Sequence, residues 1–322
     1  MIHALNDAKR LNLDCVQVFT KNQRQWTSKP LDPSERDAWL AELAAMGWDA
    51  QAATDGLCRV VSHNSYLVNL ASPAAELRKK SLVCQRIEIE RCEELHIPLC
   101  VMHPGAHLGE ARRSGARSPN RLSGEFAADE REGLLRIVKS LDQLHRDLPG
   151  YRTITCLETT VGSGTNLGYS FEQLAFIRVN VREPERLAYC FDTCHVTAAG
   201  YDMSTDAAAK GVLERWDAVC GNRLIRAFHF NDSQGAIGSR LDRHAHIGQG
   251  TCGAACFRTI LNHPDWRGVP KILETPKAAN AEGVEWDIVN IRRLRKLVRR
   301  LPPAQRRVAG SALGRPRAAQ RT

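Results

Sequence analysis

Seven short, nearly continuous apolar runs punctuate the chain: Cys15–Phe19, Cys58–Ser62, Leu99–Met102, Thr153–Leu157, Leu187–Phe191, Leu224–Phe228 and Val269–Leu273. Runs of this length and character predict strands covered on both faces. Between them lie stretches with apolar residues three or four apart, such as Glu35–Met46, Ala75–His96, Arg131–Arg146, Phe171–Val179 and Ala254–Asn262, which predict amphipathic helices. Strands alternating with helices roughly every 35–55 residues predict a parallel sheet with crossover helices. Seven strands are many for an open sheet and one short of an eight-stranded α/β barrel. The chain opens on a helical pattern, Ile2–Arg10, where the first strand of such a barrel would stand. The expected fold is therefore a TIM-type (β/α)8 barrel lacking its first strand, with two sheet edges left to protect.

The same pattern sets the expected boundaries. Residues 1–301 form one catalytic barrel domain, closed by a helix over Trp286–Leu301, and Pro302-Pro303 ends it. Residues 302–322 read as a basic, disordered tail, and Arg112–Ala128, polar and rich in Gly, Ser and Pro, reads as a loop.

Charge changes the picture only at one end. The formal net charge is +9, but positions 291–322 hold eleven Lys or Arg and no acid, which leaves about −2 for the remainder. The basic excess is a property of the tail, suited either to phosphate attraction or to solubility. Eleven scattered cysteines without a CxxC pair point to reduced, buried thiols. No apolar run approaches the roughly 18 residues of a membrane span, and the N-terminus lacks a signal-peptide layout, so a cytoplasmic, nucleoid-associated location is expected.

The chemistry lies at the strand ends. From the second run onward, the last or next residue is His63, His103, Glu158, Asp192, His229 and Glu274. Strand C-termini of such a barrel open onto one face, where active sites are built. Six consecutive strands thus deliver an imidazole or carboxylate to one rim. His195, three residues past Asp192, and the pair Asp242/His244 add donors from loops. Mixed His and carboxylate donors suit zinc or manganese better than calcium or magnesium.

The local strings then become diagnostic. Phe19-Thr-Lys-Asn-Gln-Arg-Gln-Trp26, His63-Asn-Ser-Tyr-Leu67, His103-Pro-Gly-Ala-His107, Glu158-Thr-Thr160, Asp192-Thr-Cys-His195, His229-Phe-Asn-Asp232, Asp242-Arg-His244 and Ile272-Leu-Glu-Thr275 occur in this order. Together they closely resemble the endonuclease IV family of apurinic/apyrimidinic endonucleases, over about Ile2 to Leu301. The resemblance implies three Zn2+, with Mn2+ as an alternative occupant of one site. His63, His103 and Glu158 would hold the first ion. Glu158 would bridge to a second, also held by Asp192, His229 and Glu274. His195, Asp242 and His244 would hold the third.

It further implies a monomeric hydrolase of base-excision repair that acts on double-stranded DNA containing abasic sites. Glu158 would orient the attacking water, and the products would be a 3′-hydroxyl and a 5′-deoxyribose phosphate. Gln23, Arg24 and Gln25 together with Tyr66 and Leu67 match the family's loops that enter the minor groove and fill the space of the extruded nucleotide. Arg240 and Arg243 would contact phosphate. Gln249 stands where the family often has Glu, outside the ligand set. A metal-dependent sugar isomerase or epimerase on a related barrel is the rival expectation, as is an inactive homologue lacking the first strand. The Asp242/His244 pair and the Gln-Arg-Gln loop favour the nuclease.

Overall fold

The computed structural model describes residues 1–52, 55–109 and 126–299. In chain order the elements are α1 (Ile2–Leu11), β1 (Val16–Val18), α2 (Pro33–Ala45), β2 (Val60–His63), α3 (Ala75–Glu94), β3 (Leu99–Met102), α4 (Ala128–Asp147), β4 (Ile154–Glu158), α5 (Phe171–Asn180), β5 (Leu187–Asp192), α6 (Thr193–Ala199), α7 (Asp206–Val219), β6 (Ile225–His229), β7 (Asp232–Ser233), β8 (His244–Ala245), α8 (Gly253–Leu261), β9 (Lys271–Ile272) and α9 (Trp286–Leu297). Local chemistry sets the ends. Asp32 accepts the amides of Ser34 and Glu35 ahead of Pro33 to start α2, and the Ser170 and Thr205 hydroxyls start α5 and α7 in the same way.

All seven predicted strands form one parallel sheet in the order β1-β2-β3-β4-β5-β6-β9. Its two edges come back to face each other. Cys15 Sγ lies 3.8 Å from the Lys271 carbonyl oxygen, and the Gln17 side chain reaches both His229 and Glu274. Yet β1 and β9 share no backbone pair. The fold is thus a TIM barrel with one strand position unfilled, as the hydrophobic pattern predicts.

Register then decides which side chains enter the barrel. Partnered residues in a sheet share a face. Gln17 pairs Val61, Val61 pairs Leu99, His63 pairs Val101, Val101 pairs Cys156, Glu158 pairs Cys190, and Asp192 pairs His229. Val61, Leu99, Val101, Cys156, Ala188, Cys190 and Ala227 accordingly form one buried cluster inside the barrel. Every strand-borne ligand candidate continues that inner face toward the C-terminal rim. The alternate residues pack outward: Val16, Val18 and Val60 meet Leu5, Trp39 and Leu43 of α1 and α2, and Leu157, Phe191 and Phe228 join the large core beneath the remaining helices.

Three features depart from or extend the expected pattern. The last helix stops at Leu297, not Leu301, because the Asn262 amide donates to the Leu297 carbonyl and accepts from the Arg299 amide. The helices α6 and α7 and the antiparallel pair β7–β8 are additional elements. The proposed loop beyond Arg112 falls, up to residue 125, outside the described residues, and so does the tail. All eleven cysteines are free thiols, and no described helix is long and apolar enough to cross a membrane.

Candidate metal centre

Glu158 stands at the middle of the rim, on the last residue of β4, and is buried. Its two oxygens face different neighbours. Oε2 lies 3.1 Å from His63 Nε2 and 3.0 Å from His103 Nε2. Oε1 lies 2.8 Å from His229 Nδ1 and 3.3 Å from His195 Nδ1. Glu274 Oε2 approaches the same His229 Nδ1 at 3.1 Å, with Asp192 Oδ2 at 3.8 Å. The tetrad Glu158, Asp192, His229 and Glu274 and the triad His63, His103 and Glu158 each gather their donor atoms within 4.8 Å, and they share Glu158.

A third cluster adjoins them. Asp192, His195 and His244 gather within 4.8 Å, and Asp242 Oδ1 stands 3.2 Å from His195 Nε2 and 3.5 Å from His244 Nε2. Asp192 therefore lies between the second and third groups, while half-exposed Asp242 closes the third from the solvent side. All nine residues singled out in the sequence come together. The β7–β8 pair does part of this, since Ser233 pairs His244 and brings the 242–244 segment back over the rim. Gly250 packs against that pair so tightly that a Cβ would lie 2.3 Å from the Ser233 carbonyl oxygen. Gln249 is exposed on this turn, its amide bonded to the His246 carbonyl.

The electrostatics suit cations. Burial opposes charge on Glu158, but His229 and His103 hold its carboxyl well below the usual range. Burial likewise opposes protonation of His195 and His229; the carboxylates around them, Asp192 with Asp242 for the first and Glu274 with Glu158 for the second, nonetheless raise both well above an ordinary imidazole. His244 Nε2 is buried without a hydrogen-bond partner and points at the Asp192 and Asp242 carboxylates. A lone pair so placed among carboxylates fits a metal ion. Cys190 lies beside Glu158 and His229, and burial pushes its thiol up to about 12.

Outer hydrogen bonds orient the rings. Nδ1 of His63, His195 and His244 lies 2.9, 2.8 and 3.1 Å from the carbonyl oxygens of Asn64, Thr159 and Glu274. A donor N–H there leaves Nε2 free for a ligand. Asp192 uses Oδ1 to accept the His195 amide at the start of α6 and keeps Oδ2 toward the cluster. Asn231 is a residue that the strand-end reasoning missed. Its amide donates to Asp192 Oδ2 at 2.7 Å and its Oδ1 accepts the Glu274 amide at 2.8 Å. A signal existed, since Asn231 lies two residues past His229 and thus on the same face.

The residues matched to DNA contacts surround this rim. Tyr66 is 59% exposed, its ring 5.2 Å from that of His63 and 6.0 Å from that of His103, so it does not pack below the rim. Leu67 is half-buried, and Arg24 and Gln25 are exposed. Arg240, at φ +57°, and exposed Arg243 flank Asp242. A buried network ties the two loops together. Lys21 Nζ donates to the Gln25 carbonyl and sits 3.4 Å from Glu88, which also accepts the Ser65 amide, and the Ser65 hydroxyl donates to the Gln23 carbonyl. Beside Tyr66 and His103 lies a cavity of about 220 Å3, lined also by Asn64, Asn69 and Thr160.

Comparison with known proteins agrees with this geometry. Residues 5–296 match the family model of the xylose isomerase-like TIM barrel. A probable endonuclease 4 of Geobacter sulfurreducens is 42% identical over 297 residues, 92% of this chain and 90% of that protein. Another from Chloroflexus aurantiacus is 42% identical over 89% of this chain and 90% of its own. The crystal structure of endonuclease IV from Thermus thermophilus superposes with a TM-score of 0.71 at 31% identity, covering 92% of this chain and 93% of that one. A D-tagatose 3-epimerase-like protein, at 19% identity and a TM-score of 0.59, shares the fold alone. With this identity extending over the whole barrel, the chain belongs to the endonuclease IV family of xylose isomerase-like TIM barrels.

Proposed function

We propose that this protein hydrolyses the DNA phosphodiester on the 5′ side of abasic sites, with three zinc ions held by His63, His103, Glu158, Asp192, His195, His229, Asp242, His244 and Glu274. The observation that carries this reading is the single buried carboxylate, Glu158, whose two oxygens serve two adjoining donor clusters while a third stands beside them. When bound, zinc supplies a Lewis acid that ionises water near neutral pH and offsets phosphate charge.

The protein's own groups do the rest. Glu158, at the centre of the rim, orients the attacking water and accepts its proton. Water oxygen bonds to phosphorus as the bond to O3′ breaks, and the proton taken up by Glu158 passes to O3′, leaving a 3′-hydroxyl and a 5′-deoxyribose phosphate. The tied loops carrying Arg24, Gln25, Tyr66 and Leu67 enter the minor groove and fill the gap left by the extruded nucleotide. Arg240 and Arg243 hold phosphate beside the third cluster. The protein works as a monomer on double-stranded DNA, in the cytoplasm and on the nucleoid.

The test is a duplex carrying one tetrahydrofuran abasic analogue, incubated with the zinc-loaded protein. Nicking 5′ of the analogue, reduced about 1,000-fold or more in Glu158→Gln, is expected. Intact DNA in the presence of protein carrying three zinc ions overturns the proposal.

A further inference from the structure

His229 is oriented differently from its neighbours. Nδ1 of His63 and His244 turns to a backbone carbonyl, and that of His195 lies 2.8 Å from the Thr159 carbonyl with Glu158 farther off at 3.3 Å, whereas His229 Nδ1 faces carboxylates, 2.8 Å from Glu158 and 3.1 Å from Glu274. Its outer nitrogen is Nε2, and the partner there is a side chain: Gln17 Oε1, at 2.8 Å. The other end of the same amide, Gln17 Nε2, donates to Glu274 Oε1 at 2.7 Å. Gln17 is the central residue of β1, between two valines that face the helices, so its side chain enters the barrel.

The chemistry of the amide settles the proton positions. A carboxylate accepts only, so the NH2 of Gln17 must face Glu274 and its oxygen must face His229. His229 Nε2 must then carry a proton, so a metal ion that replaces the proton shared by Nδ1 with Glu158 and Glu274 would meet the Nδ1 lone pair. One amide from the far edge of the sheet thereby aims two donors of the middle cluster. It crosses the gap between β1 and β9, where no backbone pairing holds the rim in place.

We infer that Gln17 is a positioning residue of the middle metal site, fixing the tautomer of His229 and the rotamer of Glu274 by a double hydrogen bond across the open edge of the barrel. The inference rests on the reading of this rim as a metal centre, and its test does not depend on DNA cleavage. In Gln17→Met the side chain keeps its length and loses both hydrogen bonds. Zinc content and competition with a fluorescent chelator should show one ion weakened about 10- to 100-fold, with the others unchanged. The Tm of the chelator-treated protein should stay near that of the parent.

Three ions held at parental affinity overturn the inference. An equal loss of affinity at all sites with a fallen Tm in the chelated protein also overturns it, since Gln17 would then be structural only. The unaltered protein provides a check that needs no variant. In zinc-loaded protein labelled with 15N-histidine, His229 should show a protonated Nε2 and a metal-shifted Nδ1; the opposite pattern sinks the idea. Protein that binds zinc but leaves abasic DNA intact would fail as a nuclease and leave Gln17's role standing, and protein that binds no zinc would overturn both.

Discussion

The stretch of sheet from β3 to β6 and the gap between β1 and β9 hold the same barrel together by different means. In the first, backbone ladders run unbroken, with four partnered positions between each neighbouring pair and one irregularity at Tyr189/Cys190. At the gap, side chains do the work: Cys15 to the Lys271 carbonyl, Gln17 to Glu274 and His229, Arg10 to Glu285 at 2.7 Å, and Arg295 to the Asn12 carbonyl at 2.7 Å. A backbone ladder places a ligand by register and tolerates substitution of its neighbours. A side-chain bridge places a ligand only while that side chain remains. Glu158 and Asp192 belong to the first kind, and Glu274 and the ring orientation of His229 to the second. The flanking Arg and Glu residues also blunt two strand edges that could otherwise pair with another chain.

Substitutions graded across the two regions should separate them. The largest effect belongs to the laddered side. Leu157→Ala removes a fully buried side chain from the large core, and denaturant unfolding should show a loss of about 2–5 kcal/mol. A loss below about 1 kcal/mol would mean that this half of the barrel is no better packed than the gap.

A smaller effect comes from Lys271 on β9. Burial pushes its ammonium down to about 8, from the usual 10.5, although it donates to the carbonyls of Trp266 and Val269. The unfolded chain therefore binds more protons than the folded one between these values, so this residue's contribution to stability rises with pH. From pH 8 to 9, where Cys15 is held protonated in the fold because burial moves it up to about 11 and its titration in the unfolded chain is common to both proteins, the parent should gain about 1 kcal/mol relative to Lys271→Met. A flat difference across that window would place Lys271 in water. The smallest effect is expected of Arg10→Ala. Arg10 and its partners Asp7 and Glu285 are exposed, and Tm should stay within about 2 °C of the parent in thermal melts. A larger fall would show that the outer bridge, and not Gln17, closes the gap.

Much of this was legible because local rules apply along the strands. Apolar runs that end in a single polar residue mark both a strand and its rim position, which is why His63, Glu158, Asp192 and His229 stand on the last residue of their strands, with His103 one residue beyond. Helix extents were readable to within a few residues for the same reason. The end of α9 was not, since Asn262, 35 residues upstream, determines it. Nor was the β7–β8 pair, two residues on each side, too short to leave a pattern.

The sequence by itself determined the strand and helix alternation, the empty first-strand position and the nine donors, because each follows from residue type and spacing within one segment. Tertiary structure alone decided which donors stand together, that Asp192 stands between two clusters, that Asn231 and Gln17 hydrogen-bond to them, and that His229 Nδ1 faces Glu158 and Glu274 while its Nε2 meets Gln17. Those facts depend on which distant backbones the curled sheet brings within about 3 Å, the reach of a hydrogen bond. A polar residue between two valines, as Gln17 is, could have announced itself as an inward-facing group; what it would touch was set by the closing of the barrel.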